Sequence, residues 1–292
     1  MKNKSQGVLP LSSREIGVMQ GRLLPKYRGR YQAHPVGYWE EEFDVASEIK
    51  LNCIEFILDY NDVDKNPLMS RDGCARIAKI SNQTGVRVKT ICADYFMEAP
   101  LHSNSSVVAK KSATILHRLI ENASEINVTD IVIPLVDKSS VVNQIDRDRF
   151  IQEIKAFISD AKSHQINLCL ETDLNAYGFK KLLNEIGSDC VTVNYDIGNS
   201  AGLGFDPVDE FAAYGNQITD LHIKDRVVGG FSVELGSGDA DFTKVLHEVV
   251  KCGYMGPFIM QAFRDEEGVN IFRQQLKWLR ATLENFDQSF GI

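Results

Sequence analysis

Eight times along its 292 residues, the chain passes from a short β-rich run into a longer stretch with apolar residues at helical spacing. The β-rich runs are EIGVMQ (15–20), NCIEFIL (52–58), VRVKTICA (86–93), DIVIPLV (130–136), INLCLE (166–171), VTVNYD (191–196), ITDLHI (218–223) and PFIMQ (257–261). Helical patterns cover 39–50, 70–84, 105–126, 146–164, 177–187, 206–214, 241–253 and 269–286. Within 39–50, for example, Phe43, Ala46 and Ile49 share one helical face and charges fill the other. Several strands are apolar almost throughout, as parallel strands covered on both faces are. Regular alternation predicts a parallel sheet with helices outside it. Eight units in a chain of this length predict the α/β class and a (β/α)₈ TIM barrel, a fold typically of about 250 residues. An open doubly wound sheet is the alternative. No linker or low-complexity stretch interrupts the alternation, so residues 1–292 read as a single domain, with 1–13 a flexible N-terminal extension.

Composition narrows the function. Hydrophobic residues make up 43% of the chain and charged residues 25%, enough for a large core. The net charge of -8 argues against non-specific binding to nucleic acid, which needs a basic face. No apolar run approaches the roughly 20 residues of a membrane-spanning helix, and the polar N-terminus has no signal-peptide character. The expectation is a cytoplasmic protein with neither a nucleic-acid nor a membrane partner. None of the six cysteines forms a CxxC pair, and Cys53, Cys92 and Cys169 lie in strand-like runs. They read as buried, reduced thiols.

The active site of such a barrel lies at the C-terminal ends of its strands. Strand 5 ends on Glu171, strand 6 on Asp196, strand 7 on His222 and strand 8 on Gln261. Neighbouring strands are roughly 4.8 Å apart, so these four side chains can converge. Two carboxylates, an imidazole and an amide oxygen suit one divalent ion, Mn or Zn first, with Co or Mg also compatible. Each residue has a plainer reading. His222 alone could be a satisfied core histidine, and Asp196 could cap the next helix. Three ionisable groups at successive strand ends are nevertheless hard to explain by packing, because buried charge is costly unless paired or metal-bound. Glu55, inside CIEFIL, needs a partner for the same reason and could orient a site residue.

Other polar residues surround the same end. The loop after strand 1, GRLLPKYRGRYQAHPVGY, carries Arg22, Lys26, Arg28 and Arg30 with Tyr27 and Tyr31 between them. A basic cluster on an acidic protein predicts an anionic ligand such as a sugar phosphate; a solvated surface loop is the alternative. Gln20, Arg22, Asn199, Arg226 and Arg264 are the candidate substrate-binding residues, and Lys224 follows His222 closely enough to reach substrate or pair with a carboxylate. ELGSGDADF places Gly236 and Gly238 before a helix, where backbone N–H groups could hold an anion. As a dinucleotide motif it is weak, and GLGF (202–205) is weaker. DYFMEAPLHS supplies Asp94, aromatic residues and His102 after strand 3.

The pieces LCLETD, NYDIGN, LHIKD and LGSGDADFTKVLHEVVKCGYMGPFIMQ, in this order, resemble the xylose isomerase-like TIM barrels, the superfamily of sugar phosphate isomerases/epimerases and AP endonuclease family 2. The resemblance spans all eight units and is densest over 166–261. It implies that Glu171, Asp196 and His222 occupy metal-ligand positions, and that Gln261 stands where the family's epimerases usually carry a second glutamate. The implied chemistry is proton abstraction next to a carbonyl through an enediolate, with Glu171 as base and metal ligand. An amide cannot be a second base at neutral pH, which leaves three options: an aldose–ketose isomerase working with one base, a second group such as His102, Glu98, Asp94 or Lys224, or elimination of water. The implied activity is a metal-dependent isomerase or epimerase acting on a sugar or sugar phosphate. The alternatives are a lyase or dehydratase acting on a keto-polyol, and a sugar-binding barrel altered in catalysis. The three-metal endonuclease needs more histidines than the six here, of which His117, His164 and His247 lie in helical patterns. A homodimer or homotetramer fits the resemblance.

Overall fold

The computed structural model describes residues 9–264 and 268–291. Eight parallel strands close into one barrel: β1 (Ile16–Met19), β2 (Cys53–Ile57), β3 (Arg87–Cys92), β4 (Asp130–Leu135), β5 (Asn167–Thr172), β6 (Val191–Asp196), β7 (Ile218–Ile223) and β8 (Phe258–Met260). Each pairs with its neighbours in sequence, and β8 closes the ring on β1 through Ile16↔Phe258 and Val18↔Met260. The doubly wound alternative is thereby excluded. Nearly every strand residue is buried, as expected for strands with helices on one face and a filled barrel on the other.

Local chemistry sets the helix ends. Ser70 caps Arg71–Thr84 by accepting from Gly73 N, Ser105 caps Ser106–Glu125, Asn143 caps Gln144–Lys155, and Asn175 caps Ala176–Ile186. Gly85 and Gly187 end their helices with φ of 77° and 69°, a conformation open to glycine at little cost. The long helical pattern at 146–164 is two helices, Gln144–Lys155 and Ile158–Ser163. A further short helix, Ile197–Leu203, precedes Pro207–Tyr214. After β7 the chain makes a small antiparallel ribbon, Asp225–Arg226 against Ser232–Val233.

Alternation along the strands divides two apolar layers. Val18, Ile54, Phe56, Ile131, Leu168, Val193, Leu221 and Phe258 pack outward against the helices. Met19, Cys53, Ile57, Cys92, Val132, Cys169 and Ile259 form a separate cluster on the inner face. All six cysteines are free thiols and five are buried. Of the expected N-terminal extension, residues 1–8 lie outside the described residues. Leu11 is fully buried, and the Leu11 and Ser12 N–H groups donate to the Asp287 carboxylate at 2.8 and 2.9 Å. From there onward the chain is docked on the last helix. Among the described residues, no helix is long and apolar enough to cross a membrane.

Candidate active site

Three strand ends meet as their sequence positions imply. Glu171, Asp196 and His222 each offer a donor atom, all within 4.8 Å of one another. None is more than 7% exposed. Asp196 also caps Ile197–Leu203, accepting from Asn199 N at 2.8 Å through one oxygen. Its other oxygen lies 3.2 Å from Lys224 Nζ and 3.8 Å from His222 Nδ1. The capping and ligand readings of Asp196 are therefore compatible, one oxygen for each.

The orientation of His222 is set from beneath. Its Nε2 donates to Glu55 Oε1 at 2.8 Å and lies 3.5 Å from Asp220 Oδ2. Thr90 Oγ1 donates to the other Glu55 oxygen at 2.6 Å, and Asn194 Nδ2 to Asp220 Oδ2 at 3.0 Å. With carboxyl oxygens on the Nε2 side, the proton sits there. Nδ1, on the opposite side of the ring, is buried and has no hydrogen-bond partner. A carboxylate holding the far nitrogen of a metal-facing imidazole is the usual outer support of a histidine ligand. The partner expected for Glu55 is thus His222. Asp220, two residues before His222 and on the same strand face, is fully buried in the same network.

Electrostatics agree. Burial, then the charge of Asp196, pushes Glu171 up to about 7. Burial also opposes ionisation of Asp196, but Lys224 and His222 outweigh it and hold Asp196 down at about 2. Burial disfavours the imidazolium of His222, yet Glu55, Asp196 and Asp220 push its pKa well up. The pocket is arranged for positive charge at that point. A cluster of buried carboxyls, an orphaned imidazole nitrogen and an orphaned amide oxygen on Gln261 fit a divalent cation.

Gln261 follows β8 and is 4% exposed. Its Nε2 donates to Gln32 Oε1 at 3.2 Å, and Oε1 has no hydrogen-bond partner. The same Gln32 oxygen accepts from Arg22 Nη2 at 3.0 Å, and Gln32 Nε2 donates to Asp94 Oδ2 at 3.2 Å. Asn199 Nδ2 donates to Glu171 Oε1 at 2.6 Å, while its own oxygen accepts from Lys224 Nζ and Arg226 Nη1, both at 3.0 Å. Lys224 and Asn199 thus contact the carboxylates directly, and Arg226 reaches them through Asn199.

Other expectations change. Gln20, expected to bind substrate, is a structural amide: Oε1 accepts from Ile57 N at 3.0 Å and faces His34 Nδ1 at 3.2 Å. Arg22 and Arg264 are each 4% exposed and tie the loop after β1 to the chain after β8. Arg22 Nε donates to Ala262 O at 3.1 Å and Arg264 Nη1 to Gly21 O. His102, a candidate base, packs edge-on against Phe150 at 5.9 Å, with its backbone oxygen held by Arg149. None of its hydrogen bonds or ring contacts reaches the carboxylate cluster. Tyr95 and Phe96 are core residues. Two of the four basic residues of the loop already have carboxylate partners, Arg28 on Asp62 at 2.9 Å and Arg30 on Asp59 at 2.6 Å. The glycine-rich stretch does hold an anion, but it is the chain's own. Gly236 N and Gly238 N donate to Asp225 Oδ2, each at 2.9 Å, and Ala240 N to Asp225 Oδ1 at 3.2 Å.

Known proteins share this fold. Residues 43–282 match the model of the xylose isomerase-like TIM barrel family. The chain is 26% identical over 246 residues to the L-ribulose-5-phosphate 3-epimerase UlaE of Salmonella typhi, covering 80% of this chain and 86% of that protein. To UlaE of Escherichia coli (strain K12 / DH10B) it is 24% identical over 266 residues, 86% of this chain and 93% of the relative. It superposes on the structure of an L-ribulose 3-epimerase with a TM-score of 0.73 at 17% identity, over 95% of this chain and 97% of the other. For 3-keto-D-glucoside 4-epimerase YcjR from E. coli the TM-score is 0.72 at 16% identity, over 92% and 100%. At these identities the superpositions speak for the fold. The family match covers most of the chain, and the strands it spans complete a closed barrel with β1: the chain belongs to the xylose isomerase-like TIM barrel family.

Proposed function

We propose that the chain is a divalent-metal-dependent isomerase or epimerase of a small sugar or sugar phosphate. The carrying observation is the convergence of Glu171, Asp196 and His222 within 4.8 Å, with His222 Nδ1 buried and without a hydrogen-bond partner. The names of the sequence relatives, L-ribulose-5-phosphate 3-epimerases, support the substrate class. Glu171, Asp196, His222 and Gln261 would hold the ion. A divalent ion there supplies Lewis acidity toward the sugar carbonyl and neutralises charge developing on its oxygen.

The rest of the chemistry falls to side chains. Glu171 would take and return the proton at the carbon next to the carbonyl. Asn199 steadies its Oε1 at 2.6 Å. Lys224, 3.2 Å from Asp196, would offer its ammonium to the substrate oxygens. Gln261 cannot be a second base, which favours proton transfer on one face, as in aldose–ketose isomerisation; elimination of water uses the same single base. A panel of ketoses and ketose phosphates with Mn²⁺, read by proton exchange in D₂O, tests this. Exchange at a carbon next to the carbonyl, abolished in Glu171→Gln, is expected. A protein that binds no divalent ion and exchanges no substrate proton would overturn the proposal.

A further inference from the structure

Gln261 need not be the remnant of a lost glutamate. We propose that Gln32 is a positioning residue that makes position 261 an amide site, holding Gln261 with its oxygen toward the metal ring and rejecting a carboxylate. The inference rests on the reading of Gln261 as a ring member.

The hydrogen-bond directions follow from the ends of the network. Arg22 is an obligate donor, so the Gln32 atom 3.0 Å from Nη2 is the oxygen. Gln32 Nε2 then faces the Asp94 carboxylate at 3.2 Å, as an amide N–H₂ should. Gln32 is locked at both ends: turned over, it would set its N–H₂ against the guanidinium and its oxygen against Asp94. The oxygen's second lone pair is offered to residue 261, and only a donor can take it. Gln261 does so through Nε2 at 3.2 Å. That contact leaves Gln261 Oε1 buried and without a hydrogen-bond partner.

An ionised glutamate at 261 has no donor. It would meet the Gln32 oxygen across the same short gap, at a partly buried contact where two facing acceptors are unfavourable. Gln32 and Gln261 are therefore a matched pair. The donor set then carries two carboxylate charges, and a divalent ion makes it neutral. Restoring a glutamate by one substitution does not rebuild a three-carboxylate ring here, because the neighbour at 32 is oriented for an amide.

A double-mutant cycle tests this in metal-free protein and again with Mn²⁺. In the metal-free protein at one neutral pH, Gln261→Glu should lower the melting temperature by about 3–6 °C. In a Gln32→Met background, at least half of that drop should disappear, because the facing acceptor is gone. If Gln32→Met melts too poorly to compare, Gln32→Ala serves as the second background. By calorimetric titration, Gln261→Glu alone should bind Mn²⁺ no tighter than wild type. The same change in the Gln32→Met background should tighten binding roughly tenfold, as an added carboxylate ligand does when nothing opposes it. An equal melting penalty in both backgrounds, or a roughly tenfold gain from Gln261→Glu alone, overturns the proposal. A wild type that binds no divalent ion removes the metal reading, while the metal-free cycle still decides the pairing of 32 with 261.

Discussion

Replacing Glu55 with leucine probes how the site holds its histidine. Glu55 is fully buried and accepts from His222 Nε2 at 2.8 Å and from Thr90 Oγ1 at 2.6 Å. Leucine fills a similar volume but accepts nothing. Removing an outer partner of a metal-bound histidine typically weakens metal binding roughly 10–100-fold, which is about 1.4–2.7 kcal/mol. The metal-free fold should lose a further amount of about 1–3 kcal/mol, because the Thr90 hydroxyl and the imidazole N–H lose their acceptor. Glu55→Gln keeps an oxygen for Nε2 and should bind the ion within about threefold of wild type, which separates the missing acceptor from the missing charge. Mn²⁺ titration calorimetry gives the affinity, and ¹⁵N shifts of the His222 ring report which nitrogen carries the proton. If Glu55→Leu binds Mn²⁺ as tightly as wild type with the same tautomer, the reasoning fails, and Asp220, 3.5 Å from Nε2, suffices alone.

Glu42 offers a pH test away from the metal ring. It is buried, accepts from Gly21 N and Leu23 N, and burial pushes it up to about 7 from 4.5. A raised carboxyl stabilises the fold fully below the unfolded value and loses that contribution as pH rises through the folded one. The gap from 4.5 to about 7 is worth on the order of 3 kcal/mol. Wild type should therefore lose that much more urea stability than Glu42→Gln between about pH 4.5 and 7.5, and parallel profiles would refute the assignment. Gly198→Ala should depress kcat at least tenfold with the fold retained, because a Cβ there would lie 2.6 Å from Lys224 Cγ and 3.0 Å from its backbone carbon, displacing Lys224 from Asp196. Unchanged kcat would show that this spacing is idle. Asp225→Ala removes the acceptor of three backbone N–H groups and should cost about 3 kcal/mol in denaturant unfolding; a loss under about 0.5 kcal/mol, ordinary for a surface change, would sink that account.

Much of the barrel was legible because its signals are local. Runs such as VTVNYD and ITDLHI coincide with β6 and β7, and their last polar residues are the ones that converge. Glu55 announced itself by charge within an apolar strand. The helix Ile197–Leu203 did not, since Gly198, Gly202 and Gly204 give that stretch the look of a loop. Gln32 was silent for another reason. What it does depends on partners far along the chain, Gln261 and Asp94. The basic loop misled in the same way. Its counter-charges, Asp59 and Asp62, lie about thirty residues away, after β2. Periodicity reports which face is buried, and no periodicity reports which charge is already spent.

The loop that wraps Asp225 has a consequence for ligand choice. Three backbone N–H groups are aimed at one point, as a phosphate site requires, yet a carboxylate from eleven to fifteen residues away already occupies it. A tethered group of this kind competes at an effective concentration in the millimolar range. A free phosphoryl group would have to expel it and leave a buried carboxylate unpaired. The loop is thus self-saturated. It keeps its shape whether or not phosphorylated metabolites are present, and any preference of this barrel for a phosphorylated over a plain sugar must originate at some other part of the mouth.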